Sequence, residues 1–261
     1  MAFRPKFDYF EVALLCVVSV FLFGFGAFNY PPIQNALILA ADGVSEYRLL
    51  ERTYGPHRDS RMAEEWIIRD FFHDKRDGTF VDVGANDYRK ESNTYYLETA
   101  LGWSGIGIDA QAQFAADYQR YRPKTKFFTF FVSDTSDATA TLYVAKKNSL
   151  TASANRAFTE EEDGATVERK VATITLNDLL AGEHVSHMDF VTMDIELGEP
   201  KALAGFDIER FAPALVCIEG HRTVRQAILD YFQRHHYVTV GKYLYADTQN
   251  LYFMPANQSS D

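Results

Sequence analysis

The stretch that decides the fold is TFVDVGANDYRKESNTYYLETALGWSGIGID, residues 79–109. It predicts an apolar strand that runs into a turn bearing Asp82 and Gly84, then a helix, then a second apolar strand that ends at Asp109. A glycine turn followed about 25 residues later by a carboxylate is a spacing that suits a nucleoside. The backbone of the turn approaches the ligand closely, and the carboxylate accepts hydrogen bonds from the ribose hydroxyls.

The same turn lacks the three-glycine fingerprint that holds a pyrophosphate. A cofactor with a ribose but no pyrophosphate therefore fits better than a dinucleotide, and S-adenosylmethionine is the common one. An NAD-dependent oxidoreductase is the rival enzyme class, although only Arg89 and Lys90 lie near the turn to help hold a pyrophosphate.

Composition sets the outer limits of the function. The chain has 261 residues, of which 47% are hydrophobic, enough for one sizeable α/β domain after an N-terminal segment. A formal net charge of -10 argues against a general nucleic-acid-binding surface. The two cysteines are Cys16, in an apolar run, and Cys217, in a predicted buried strand. They indicate neither a disulfide framework nor a cysteine-rich metal site.

The N-terminus carries a long apolar segment. Residues 12–28 contain no charged side chain, and as a helix they would extend roughly 26 Å, slightly less than the ~30 Å of bilayer hydrocarbon. We expect residues 1–30 to be a tail and a transmembrane anchor, which makes the protein a single-pass membrane protein. A cleaved signal peptide and a buried soluble helix are the alternatives.

The orientation of that anchor is ambiguous. Arg4 and Lys6 favour a cytosolic N-terminus, which would place the domain outside the membrane. S-adenosylmethionine is a cytosolic metabolite, however, and on this chemical ground we expect a cytosolic catalytic domain.

The remainder divides into a linker and one domain. Residues 31–60 are expected to be a linker with a short helical segment, and residues 61–261 the catalytic domain. From residue 61 onward, predicted strands and helices alternate, which indicates a mainly parallel sheet with helices on both faces. The acidic run at 160–163 is expected to be a solvated loop. The region 145–170 around it is expected to be a variable lid that selects the acceptor.

Ligands of such sheets bind at the carboxyl ends of the strands. A third strand, predicted at residues 126–132, leads to Asp134, which can meet an adenine amino group or can simply form a turn. The next strand leads to Asp194 and Glu196, and the one after it to Glu219 and His221. We expect these last four residues to share one crevice.

Two chemical roles suit such a group of carboxylates. Neighbouring carboxylates raise one another's proton affinity, so one of them can act as a base near neutral pH. They can equally hold Mg²⁺ or Mn²⁺, which prefer oxygen ligands, or they can be solvated helix caps. His221 is a second candidate base, or an exposed residue of a strand-end turn. We expect a base without an obligatory metal.

Five blocks of this sequence resemble the FkbM family of S-adenosylmethionine-dependent methyltransferases. They are FVDVGAND at residues 80–87, SNTYYLE at 92–98, GWSGIGID at 102–109, TLNDLL at 175–180 and DFVTMDIE at 189–196. Their order and spacing make the resemblance more specific than any single block. The resemblance implies a class I methyltransferase fold, with a Rossmann-like, mainly parallel seven-stranded sheet, and usually O-methylation of a sugar or similar hydroxyl.

The resemblance also implies residue roles. Asp82, Gly84 and Asn86 belong to the turn on the methionine side of the cofactor, Asp109 to the ribose and Asp134 to the adenine. Asp194 and Glu196 would face the acceptor.

Two positions depart from the family pattern. Tyr88 stands where such proteins often have glycine, and Leu197 separates Glu196 from Gly198. These departures keep a non-enzymatic alternative open, in which a degenerate methyltransferase fold serves as a membrane-anchored interaction module.

Overall fold

The computed structural model describes residues 46–147 and 152–258. The predicted transmembrane anchor and the first half of the predicted linker, residues 31–45, lie outside the described residues. Within the described part of the chain, no helix is both long enough and apolar enough to cross a bilayer.

Eleven strands are described. In chain order they are β1 (Thr79–Val83), β2 (Ser104–Asp109), β3 (Thr125–Thr129), β4 (Phe131–Val132), β5 (Thr139–Ala145), β6 (Ala152–Ser153), β7 (Thr166–Ile174), β8 (Phe190–Met193), β9 (Leu215–Glu219), β10 (Tyr237–Thr239) and β11 (Asn250–Pro255).

The helices lie between these strands. In chain order they are α1 (46–54), α2 (Glu64–Phe72), α3 (Tyr95–Thr99), α4 (Ala115–Tyr121), α5 (Arg156–Asp163), α6 (Leu176–Gly182), α7 (Glu199–Ala204), α8 (Ile208–Phe211) and α9 (Arg225–Arg234). Short 3-10 turns cover Ala112–Phe114 and Gly241–Tyr243.

The main sheet has seven strands in the order β10-β11-β9-β8-β1-β2-β3. Neighbouring strands are parallel, except that β11 is antiparallel to both β9 and β10. This is the sheet of the class I methyltransferase fold, so the predicted mainly parallel, seven-stranded sheet is confirmed. The chain progresses outward in opposite directions from β1, through β2 on one side and β8 on the other, and a ligand crevice is expected at such a switch point.

Helices cover both faces of this sheet because its strands carry apolar side chains on both sides. Along β1, Val81 and Val83 pack into one core cluster, whereas Phe80 packs into the other with Trp66 of α2. The second cluster includes Leu50 of α1. Part of the segment assigned to the linker therefore packs against the domain.

A second sheet of four strands, in the order β4-β7-β5-β6, branches from the first. The sequence predicted one strand over residues 126–132, and this is wrong in one respect. β3 ends at Thr129, and Phe131 pairs instead with Thr173 of β7. The run FFTFFV at 127–132 is apolar except for Thr129, and a single threonine, which is common in strands, does not mark a change of sheet.

The prediction of a loop at the acidic run 160–163 is also wrong, because these residues form the last turn of helix α5. The side chain of Asn155 caps this helix by accepting a hydrogen bond from the Phe158 N–H at 3.2 Å. An asparagine cap followed by residues of good helical propensity is enough to form such a helix on the surface.

Candidate functional site

A cavity of about 990 Å³ opens at the carboxyl ends of β1, β2, β8 and β9. Its volume is at the upper end of the range usual for small-molecule sites, ~300–1,000 Å³. Seven of the eight predicted site residues line it: Asp82, Gly84, Asn86, Asp109, Asp194, Glu196 and His221.

The turn after β1 has a backbone conformation that suits its residues Gly84 and Asn86. Gly84 has φ +87°, and a Cβ on it would lie 1.9 Å from the carbonyl oxygen of Asp194. Glycine is therefore required at this position because the backbone contacts the end of the neighbouring strand. The sequence suggested only the other reason, the close approach of a ligand. Asn86 also has a positive φ of 52°, a conformation that asparagine tolerates better than most residues.

Asp109 joins the two strand ends. Its Oδ2 accepts a hydrogen bond from the Asn86 N–H at 3.1 Å, and its Oδ1 accepts one from the Gln111 N–H at 2.7 Å. These two hydrogen bonds fix the orientation of the carboxylate, and each of its oxygens keeps acceptor capacity for a ribose hydroxyl. Burial raises the pKa of Asp109 to about 6, although these two N–H groups favour the charged form.

Asp82 lies deeper in the same half of the cavity. It is 6% exposed, and its Oδ2 accepts a hydrogen bond from the Thr94 hydroxyl at 2.7 Å. Burial raises the pKa of Asp82 to about 6, against the effects of this hydrogen bond and of the Arg122 charge.

Asp134 is the one predicted site residue that is not among the residues lining the cavity. It is exposed, and its Oδ1 accepts hydrogen bonds from the hydroxyls of Ser133 and Thr135 at 3.1 and 3.4 Å. The reason is the change of sheet after Thr129, which places Asp134 after β4 instead of at the end of a main-sheet strand. The cavity wall there is formed by the aromatic residues Phe130 and Phe131.

The other half of the cavity contains three carboxylates. Asp194, Glu196 and Glu219 each place an oxygen within 4.8 Å of the others, a spacing that could hold a metal ion. Oε2 of Glu219 is buried and has no hydrogen-bond partner among the described residues. The predicted crevice at the ends of β8 and β9 is therefore present, and Glu219 belongs to it as closely as Asp194 and Glu196 do.

Burial and mutual repulsion raise the pKa values of these groups. Burial, followed by the charge of Asp194, raises the pKa of Glu196 to about 8 and that of Glu219 to about 9. Burial also raises the pKa of Asp194, whose exposed surface faces into the cavity. Arg61, which lines the cavity, partly offsets the repulsion. Carboxyl groups whose pKa values are raised in this way are suited to accept or release a proton near neutral pH.

The turn after β8, which presents Asp194 and Glu196, is strained. Glu196 and Leu197 both have positive φ values, 53° and 76°. Leu197 thus adopts the conformation in which glycine is favoured, at the position where this sequence departs from the family pattern. The buried Glu199 supports the turn, because its Oε1 accepts a hydrogen bond from the Ile195 N–H at 3.0 Å.

The second sheet covers this half of the cavity. The hydroxyl of Ser153, in β6, donates a 2.6 Å hydrogen bond to the carbonyl oxygen of Glu196. Phe158 and Glu162 of α5 line the cavity. The predicted lid region therefore touches the carboxylate turn directly.

His221 is poorly arranged for a base. Its Nδ1 accepts a hydrogen bond from the Thr223 N–H at 3.2 Å, and its ring packs edge-on against Phe158 with centroids 5.5 Å apart. The neutral ring then carries its proton on Nε2 and can act as a hydrogen-bond donor, and His221 is among the residues that line the cavity. This arrangement favours a role in positioning a ligand.

Arg61 and Gln111 are cavity residues that sequence reasoning missed. Gln111 was detectable, because it follows Asp109 by two residues. Arg61 comes from the segment before α2, and no sequence signal indicates that this segment reaches the cavity.

Comparison with known families identifies the domain. A model described as the methyltransferase FkbM domain matches residues 82–239. The chain belongs to the FkbM methyltransferase family. The match begins at the residue that starts the glycine turn and includes both strand ends that carry the carboxylates.

Comparison with individual proteins adds little to this assignment. No curated protein matches the chain. Among solved structures, it is similar to a TehB-like SAM-dependent methyltransferase from Corynebacterium glutamicum, with 12% identity and a TM-score of 0.42. That match covers 82% of this chain and 97% of the other, and its similarity is too low to bear on function.

The other departure from the FkbM pattern, at Tyr88, is accommodated without backbone strain. Tyr88 is not among the described residues with positive φ. Its ring stacks on Tyr121 at 4.7 Å, and its carbonyl oxygen accepts a hydrogen bond from Arg122 at 2.9 Å. A side chain at this position is therefore compatible with the turn.

Proposed function

We propose that the protein transfers a methyl group from S-adenosylmethionine to a hydroxyl group of a sugar, glycan or glycolipid. One observation carries the proposal: a single cavity contains the glycine turn with Asp109 in one half and the carboxylate cluster in the other. A cofactor and an acceptor can therefore meet in one space.

The first half of the cavity suits the nucleoside and amino acid ends of the cofactor. Asp109 keeps acceptor capacity on both oxygens for the ribose hydroxyls. Asp82 can accept from the ammonium group of the methionine moiety. Gln111 and Phe130 line the cavity and Asp134 does not, so we assign Gln111 and Phe130 to the adenine instead of Asp134.

The second half suits a hydroxyl acceptor. When bound, the cofactor supplies a sulfonium methyl group that a hydroxyl oxygen can attack in line, so the protein's main task is alignment and exclusion of water. A carboxylate of the Asp194, Glu196 and Glu219 cluster accepts the hydroxyl proton as the oxygen–carbon bond forms. His221 can donate a hydrogen bond to the acceptor from Nε2.

The same carboxylates could hold Mg²⁺ or Mn²⁺, which would acidify the hydroxyl instead. We propose that a metal is not obligatory. The test is turnover of the full-length chain after EDTA treatment. Retention of activity supports a carboxylate base, whereas complete loss that Mg²⁺ restores would refute it.

Calorimetry on the full-length chain tests the cofactor. S-adenosylmethionine and S-adenosylhomocysteine should bind, NAD should not, and Asp109→Ala should abolish binding. Cofactor binding without turnover on any acceptor would instead support the degenerate interaction module, for which the strained turn at Leu197 is the favouring observation.

The acceptor and its location are part of the same proposal. If residues 12–28 anchor the protein in a membrane with the domain in the cytosol, a lipid-linked glycan is a suitable acceptor. Mass spectrometry of cell-envelope glycans and lipids, with and without the gene, should reveal a species that differs by one methylene, about 14 Da. The absence of any such difference would count against a glycan or lipid acceptor.

A further inference from the structure

A buried hydrogen-bonded chain leads from the cofactor half of the cavity into the domain. The hydroxyl of Thr94 donates to Oδ2 of Asp82 at 2.7 Å and accepts from Nη2 of Arg122 at 3.1 Å. Thr94 and Arg122 are both 0% exposed. Thr94 therefore connects a cavity carboxylate to a cation that does not line the cavity.

Arg122 is held rigidly from the other side. Its Nε donates to Oε2 of Glu98 at 2.6 Å, and its Nη1 donates to the carbonyl oxygen of Tyr88 at 2.9 Å. Oε1 of Glu98 accepts from the Lys124 N–H at 2.9 Å. The guanidinium group consequently cannot turn away from Thr94 without breaking several buried hydrogen bonds.

We propose that Thr94 and Arg122 are positioning residues of the cofactor site, which orient Asp82 and keep it ionised for the ammonium group of the bound methionine moiety. This inference rests on the proposed function, since it assigns a purpose to the Asp82 carboxylate. It also accounts for block 92–98 of the sequence, whose Thr94 and Glu98 are both members of the chain.

The charges around Asp82 explain why such support is needed. Asp194 at the end of β8 and Asp109 at the end of β2 are both acidic neighbours, and each disfavours a negative charge nearby. Tyr118 of α4 directs its hydroxyl to the carbonyl oxygen of Ala85 and not to Asp82. Arg122 provides the opposing positive charge.

A purely structural role for the Arg122–Glu98 pair is the competing explanation, because breaking a buried ion pair is destabilising in any protein. Thr125 separates the two explanations. Its hydroxyl bonds Glu98 at 2.5 Å and lies 3.3 Å from Arg122, but no hydrogen bond joins it to Asp82. Thr125→Val therefore perturbs the same buried pair but leaves the hydrogen bond from Thr94 to Asp82 in place.

The experiment compares Thr94→Val, Thr94→Ser and Thr125→Val in the full-length chain. The ionisation of Asp82 is followed by ¹³C carboxyl NMR titration, and S-adenosylhomocysteine affinity by calorimetry across pH. For Thr94→Val, we expect affinity at pH 7.5 to fall roughly tenfold and the pH midpoint of binding to rise by roughly one unit, as for loss of a hydrogen bond to a charged group.

Thr94→Ser should restore both values, and Thr125→Val should lower thermal stability while leaving both unchanged. An unaltered Asp82 titration in Thr94→Val, or an equal effect in Thr125→Val, would overturn the positioning role and leave the proposed function intact. A wild-type chain with no affinity for S-adenosylhomocysteine would overturn the proposed function, whatever the titration shows.

Discussion

Gly84→Ala is the substitution that most directly tests how the cavity is built. The added Cβ would lie 1.9 Å from the carbonyl oxygen of Asp194 and 2.9 Å from its carbonyl carbon, and Cβ contacts under 3.0 Å are essentially never seen. The obstructing atoms are main chain, so no side-chain rotation can relieve the clash. The ends of β1 and β8 would have to separate by about 1 Å or more.

The magnitude follows from two contributions. A non-glycine residue at φ +87° costs about 1–2 kcal/mol, and overpacking of main chain against main chain adds about 1–3 kcal/mol. Reduced freedom of the unfolded chain returns about 0.4–1 kcal/mol. We expect the free energy of unfolding to fall by about 1–5 kcal/mol.

Gly55 is a matched control, because it has nearly the same φ, +86°, and nothing within 4 Å of an added Cβ. Gly55→Ala should lower the free energy of unfolding by less, about 0–1.6 kcal/mol, because it lacks the main-chain clash. Denaturant unfolding of both full-length variants measures the difference. Equal losses would show that the contact between Gly84 and Asp194 is not a constraint, and that the two strand ends are loosely associated.

Three further predictions concern the cavity. Asp109→Asn should weaken S-adenosylhomocysteine binding roughly 10–100-fold by calorimetry, because charge-assisted hydrogen bonds are lost, and Asp117→Asn, on an exposed helical position, should not. Because the pKa of Glu196 is raised to about 8, its protonated form stabilises the fold at low pH and that stability is lost as pH rises toward 8. Glu196→Gln should therefore stabilise the protein by roughly 2–4 kcal/mol at pH 9 and little at pH 4 in denaturant unfolding; a constant difference would contradict this. Leu197→Gly should lower thermal stability less than Leu197→Val, since β-branched residues tolerate positive φ poorly. The reverse order in thermal melts would contradict the inference that the backbone is strained at Leu197.

The sequence was sufficient for the main sheet because the evidence for it is local. Each parallel strand is a short apolar run that ends in a polar or glycine turn, as at Gly84 and Asp109, and the alternation with helices restricts the topology to few choices. The grouping of Asp194, Glu196 and Glu219 followed from the same rule, since carboxyl ends of parallel strands share one edge.

The errors have a different origin, because they depend on long-range pairing. Asp134 was assigned to the cofactor on the assumption that one apolar run forms one strand, whereas the run is divided between two sheets. The partner that divides it, Thr173, is more than 40 residues away in sequence, and no local pattern reports such a contact. Arg61 was missed for the same reason, since its approach to the cavity depends on how α2 packs.

Under the proposed function, the hydrogen bond from Ser153 to the carbonyl oxygen of Glu196 would couple the segment that selects the acceptor to the turn that carries the proposed base. Exchanging the covering sheet for that of another family member would alter which acceptor enters and, through this one bond, where the acidic turn stands. Chimeras that exchange the covering sheet should therefore be active only when Ser153 is transplanted together with the turn that carries Glu196.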